Sequence, residues 1–154
     1  MIKINVISNN IRWNSYLKNP NLYVGEKLKK INKKKNIFKK NIFHCTLLLS
    51  DESEIKRLNN KFRRKNKSTD VLSFPFYKKK ELAKKLDIEK EIYIGDIIIN
   101  LRKVKKKTSI KNFKIEFNKL WVHGFVHLFG YDHKNEKEFI KMNKIEKKIL
   151  SVIN

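Results

Sequence analysis

The chain has 154 residues, enough to bury a core of its own, so residues 1–154 are expected to form a single domain. No apolar run approaches the roughly 20 residues a membrane span needs, which predicts a protein without a membrane partner, and the alternation of Met1 to Ile7 predicts a strand and not a secretory leader. Cys45 is the one cysteine, which excludes an intrachain disulfide and suits the cytoplasm, and 38 Lys+Arg against 15 Asp+Glu leaves a net charge of +23, the footprint of a polyanion binder.

Most of those cations are lysine, and Lys, Asn and Ile share AT-rich codons, so codon bias is a second source of the excess. The charge permits RNA as a partner without specifying a site. After the first strand, helical spacing of Leu22, Leu28 and Ile31 predicts a helix from Asn21 to Lys35. The apolar run Phe43 to Leu49 predicts a buried strand, followed at Ser50-Asp51 by the start of a helix over Ser53 to Lys61. Thr69 to Phe74, closed by Pro75, reads as a third strand, and the Lys- and Glu-rich Tyr77 to Glu91 as an exposed loop with at most two helical turns.

Ile92 to Ile99 predicts a fourth strand, with Gly95 marking a bulge or a close backbone approach. A lysine-rich helical stretch is expected from Leu101 to Lys107, then a break near Thr108-Ser109. A second helix is expected from Phe113 to Phe129, apolar nearly all round and therefore buried. Asn135 with Glu138 resembles a capping box that opens an amphipathic helix carrying Phe139, Met142, Ile145, Ile149 and Val152. Strands early and helices late, without regular βαβ alternation, predict an α+β fold.

The chemistry concentrates in His123, His127 and His133, three of the four histidines in the chain. On a helix, residues 123 and 127 project from one face, and Gly130 lets the helix end and the chain turn back so that His133 reaches the same point. Three neutral imidazoles suit one Zn²⁺ per chain, with the fourth position left for water and hence for hydrolysis. The spacing H-x-x-x-H-x-x-G-x-x-H is also that of metzincin peptidases, whose general base follows the first histidine; here that position is Gly124, which argues against peptide hydrolysis.

Residues 123 to 133, H-G-F-V-H-L-F-G-Y-D-H, resemble the hallmark of the YbeY endoribonucleases, H-G-x-L-H-L-x-G-Y-D-H, with Val126 for the usual Leu. Leu58-Asn59, Phe62-Arg63 and Thr69 to Pro75 are similar to that family's L-N-x-x-Y-R and T-D-V-L-S-F-P blocks. Phe62 stands for Tyr, and Ser68 stands where proline is common. Gly95-Asp96-Ile97 with Ile99 resembles its G-D-I-x-I strand, and Met142, Glu146 and Leu150 its final helix, so the likeness runs from about residue 40 to the end.

The resemblance implies a small mixed four-stranded sheet packed by helices, with a metalloprotease-like zinc helix. It implies metal-dependent cleavage of single-stranded RNA in rRNA processing, in 3′ end maturation of small-subunit (16S) rRNA and in ribosome quality control. The partners it implies are rRNA, ribosomal subunits or a ribosomal protein. Arg63 matches the family's arginine and is the expected phosphate-facing catalytic group, since a guanidinium stabilises charge developing on phosphorus. An RNA- or ribosome-binding assembly factor with a structural zinc is the alternative, ahead of a metzincin-like peptidase.

Asp70 and Asp96 are read as turn-capping residues, and Asp132 as a carboxylate placed to orient a ligand ring. His44, Cys45 and the stripe Trp121, Phe125, Phe129 are assigned to packing, and Lys78 to Lys80 and Lys103 to Lys107 to solvated faces.

Overall fold

The computed structural model describes residues 1–8, 10–34, 40–104, 109–133 and 135–154. The alternating N-terminal residues form β1 (Ile2–Ser8), with Ile2 and Val6 inward and Lys3 and Ile7 exposed. Helix α1 (Pro20–Lys33) is opened by the Asn19 side chain, which accepts the N–H of Leu22, and by Pro20, whose missing N–H costs nothing in the first turn. It leads into β2 (Ile42–Ser50), paired parallel to β1. These three elements are thus a βαβ crossover, a local departure from the expected absence of βαβ order.

Asp51 caps α2 (Glu52–Arg63), which ends on Arg64 in the left-handed conformation and leads to β3 (Val71–Pro75). β4 (Glu91–Asn100) pairs parallel to β2 and antiparallel to β3. The sheet is therefore mixed, in the order β1-β2-β4-β3. Helix α4 (Ile110–Leu128) is buried at Phe113, Phe117, Trp121, Val122, Phe125 and Val126, and α5 (Glu136–Ile153) closes the core through Met142, Ile149 and Ile153. The principal apolar core runs from Ile2 in β1 to Ile153 in α5, and α2 seals a smaller cluster, Ile55, Leu72 and Ile98, on the other face of the sheet.

Three elements differ from expectation. The predicted loop 77–91 contains α3 (Lys79–Ile88), ten residues long, because Glu81 accepts the N–H of Lys78 and Leu82 finds a buried seat. A 3₁₀ turn, Ile11–Ser15, carries the fully buried Trp13, whose indole N–H donates to the Ser50 carbonyl (3.1 Å) and whose ring meets Phe113 and Phe117 edge-on. The helical stretch expected from Leu101 is a single 3₁₀ turn, Leu101–Lys103; Lys105, Lys106, Lys107 and Thr108 lie outside the described residues, as does Lys35. Among the described residues no helix is long and apolar enough to cross a membrane.

Two glycines allow close approaches. Gly95 has φ +132°, and a Cβ there would stand 2.1 Å from the Phe74 carbonyl oxygen, so the predicted close approach is real. The facing strand shifts register between His44 and Cys45. Gly124 lies in α4 where a Cβ would meet Ile97 Cγ2 at 2.6 Å, Ser73 Oγ at 3.0 Å and Val71 Cγ2 at 3.3 Å. The helix thus rests on β3 and β4 at a separation that a side chain does not permit.

Gly124→Ala is expected to lower stability by about 1–3 kcal/mol through overpacking. Gly25→Ala, in α1 with nothing within 4 Å of the new methyl, is expected to raise it by up to about 1 kcal/mol through helix propensity. Denaturant unfolding of both variants checks this pair, and a Gly124→Ala protein as stable as the parent would refute the packing argument.

Candidate metal centre

The last turn of α4 presents His123 and His127 one turn apart on its half-exposed face. The helix stops because Gly130 takes φ +76° and its N–H returns to the His127 carbonyl (2.9 Å). The chain then reverses and brings His133 to the same point, where one ligand nitrogen from each of the three histidines lies within 4.8 Å of the others. All three predicted metal ligands are brought together.

Their outer hydrogen bonds decide which nitrogen faces inward. His123 Nδ1–H donates to Glu146 Oε1 (2.8 Å), and His127 Nδ1–H donates to the Tyr131 carbonyl (2.8 Å). These tautomers follow from the partners: a carboxylate and a carbonyl can only accept. With each Nδ1 carrying the proton, the two Nε2 atoms, 3.1 Å apart, face each other as lone pairs. That arrangement is repulsive unless a cation sits between them, and tetrahedral zinc with Zn–N of about 2.0–2.1 Å requires nitrogens only about 3.3 Å apart. The residues therefore fit a three-histidine metal.

Burial, then the neighbouring His123, push the His127 pKa below its ordinary value against the opposing pull of the Tyr131 carbonyl. His127 accordingly stays neutral, as a ligand must be, to lower pH than a free imidazole.

The carboxylate that orients the His123 ring is Glu146 on α5, while Asp132 Oδ1 accepts the backbone N–H of His133 (2.8 Å). Glu146 had one sequence signal beyond the resemblance of its helix: it is an acidic residue between Met142 and Ile149 on the buried side of an amphipathic helix. The Tyr131 carbonyl, as a backbone group, had none.

Around the histidines lies a cleft of about 850 Å³, lined by Arg63, Lys65, Asp70, Ser73, His123, His127, Tyr131 and His133 among others. Arg63 stands opposite the helix: its Nη2 donates to the Ser73 carbonyl (3.0 Å), and its guanidinium lies over Phe74, 5.8 Å from the ring centre. Asp70 caps the turn before β3, its Oδ1 accepting from Val71 N (2.9 Å) and Thr69 Oγ1 (3.1 Å). Asp96 accepts from the Tyr93 hydroxyl (2.6 Å) and does not line the cleft.

Cys45 is buried and its thiol is pushed up to about 12, first by that burial and then by Asp96, so it is inert packing. His44 pairs with Glu91 (2.9 Å) away from the cleft, and Trp121 and Phe125 are core. Lys78 to Lys80 are exposed, with Lys79 Nζ 5.0 Å over the Tyr131 ring.

The environment of Gly124 also bears on the peptidase comparison. A side chain there would run into Ile97 and Ser73 on the sheet, so the position that carries the metzincin base has no room for a carboxylate.

Comparisons with known proteins give the family. The family model described as "Endoribonuclease YbeY" matches residues 9–154, which extends the likeness well upstream of residue 40. A Pelagibacter ubique protein named endoribonuclease YbeY is 42% identical, with 99% of this chain and 97% of that protein covered. One of the same name from Buchnera aphidicola subsp. Acyrthosiphon pisum is 39% identical over 75% of this chain and 72% of its own. A Thermotoga maritima protein solved in solution superposes with a TM-score of 0.56 at 29% identity, covering 99% of this chain and 89% of that one. A three-histidine cleft on this mixed sheet, matched along nearly the whole sequence, places the chain in the YbeY endoribonuclease family.

Proposed function

We propose that this protein is a zinc-dependent, single-strand-specific endoribonuclease of rRNA processing. On this reading it acts in the cytoplasm in 3′ end maturation of small-subunit (16S) rRNA and in ribosome quality control, on ribosomal subunits or through a ribosomal protein. The observation that carries the reading is the convergence of three histidines, two with inward-facing Nε2 lone pairs, across a cleft from Arg63. His123, His127 and His133 would hold the zinc, and bound zinc supplies Lewis acidity and water acidified to a pKa of about 7.

The residues of the chain supply the rest. Arg63 commits one N–H to the Ser73 carbonyl and is braced by Phe74, which leaves its remaining donors for a phosphate and fixes their direction. Lys65 adds a second cation to the same wall. RNA is drawn as a polyanion by a chain of net charge +23, and Arg63 and Lys65 offer its phosphates cationic partners in the cleft that a neutral peptide does not use. A purely structural zinc would call for a closed four-ligand site, whereas among the described residues three histidines converge here and the site opens onto a cleft.

Purified protein with zinc is expected to cut single-stranded RNA, and chelator or His127→Ala is expected to abolish cutting. Equal cleavage in all three samples would refute the assignment. Glu146→Ala is expected to weaken zinc binding about 10–100-fold, measured by competition with a chromophoric chelator. Glu146→Gln, whose amide oxygen still accepts from His123 Nδ1–H, is expected to lose less. Zinc binding competes with protonation of the three imidazoles, so zinc is expected to be retained at neutral pH and lost progressively in acid, as dialysis followed by metal analysis would show.

A further inference from the structure

Ser73 lies on β3, the edge strand of the sheet, where strand alternation puts Leu72 and Phe74 on the α2 side and Ser73 on the α4 side. It is only 6% exposed, yet it lines the cleft together with Arg63, His123 and His127. Its carbonyl is the acceptor that anchors Arg63. Among the described residues its hydroxyl has no hydrogen-bond partner, and the oxygen is not sealed from solvent. Close packing of α4 accounts for a small residue at this position, since Oγ stands 3.0 Å from where a Gly124 Cβ would be. It does not account for a hydroxyl, because alanine fills the same space without an unmet hydrogen bond.

The group thus faces a cleft that holds Arg63 and Lys65, with its one O–H unspent. Phosphate oxygens can only accept, so donation toward them is the use that the surroundings favour. We infer that Ser73 is a substrate-contacting residue, whose hydroxyl donates a hydrogen bond to a nonbridging phosphate oxygen of RNA held between Arg63 and the three histidines. The inference rests on the endoribonuclease reading and adds to it a second phosphate contact, beside the arginine. In one residue the carbonyl aims the guanidinium and the side chain meets the same phosphate.

The test compares the zinc-loaded parent with Ser73→Ala. Thermal unfolding and zinc content are expected to be unchanged, while kcat/KM on single-stranded RNA falls about tenfold or more, as for loss of a hydrogen bond to a charged group. Phosphorothioate RNA supplies a readout that a packing role would not move. Sulfur at the contacted nonbridging position should slow the parent, and that penalty should shrink in Ser73→Ala for one diastereomer. Should Ser73→Ala lose its cooperative melt, Ser73→Cys, similar in size but a weak donor, replaces it and is expected to show the same loss.

Parent-like kcat/KM with an unchanged thio penalty would overturn the inference. If the parent itself cuts no RNA, the endoribonuclease reading fails separately. The serine is then judged on titration with inorganic phosphate: binding weakened severalfold in Ser73→Ala supports the contact, and equal binding overturns it.

Discussion

A Cβ at Gly124 would lie 2.6 Å from Ile97 Cγ2, so α4 can sit where it does only because that residue has no side chain. This contact brings the helix that carries His123 and His127 against β3, the strand whose Ser73 carbonyl holds Arg63. The cleft lies between one helix and one sheet edge, beside the point where Gly124 seats the helix. Close packing transmits small volume changes to neighbouring groups, so a methyl at this point would move the histidines and the arginine relative to each other.

The polar side of the site depends on the same placement. A histidine ring can present either nitrogen, and the choice is made by what the other nitrogen meets. Here α5 supplies Glu146 and the turn after α4 supplies the Tyr131 carbonyl, so two elements outside the helix that carries the rings determine that Nε2 faces inward on both. The apolar docking of α5 through Met142, Ile149 and Ile153 therefore contributes to ligand geometry as well as to stability. Opposite, the guanidinium is held by a backbone carbonyl and an aromatic face, with no acidic partner among the described residues.

Much of this was legible in the residues. The four strands and the long helices announced themselves through apolar periodicity, and Asp51 and Asn135 through their capping chemistry, while the caps at Asn19 and Ser109 emerge only in the structure. The reading failed where a few contacts outweigh composition. Residues 77–91 look like a solvated loop because lysine dominates them, yet one buried Leu82 and one capping Glu81 suffice to hold α3. Trp13 had no periodic context at all, and its importance comes from the pocket that Phe113, Phe117 and the Ser50 carbonyl make for it from distant parts of the chain.

For the site itself, sequence determined which residues could hold a metal. An i, i+4 pair and a left-handed glycine are local facts of backbone geometry, readable wherever a helix is assured. Tertiary structure alone decided what surrounds those ligands. Glu146 and Ser73 lie 23 and 50 positions from His123 along the chain, separations over which no local rule acts. Their meeting depends on how α4 and α5 pack on the sheet. Spacing could name the three histidines; only packing could choose the nitrogen each of two of them offers and the groups that line the cleft beside them.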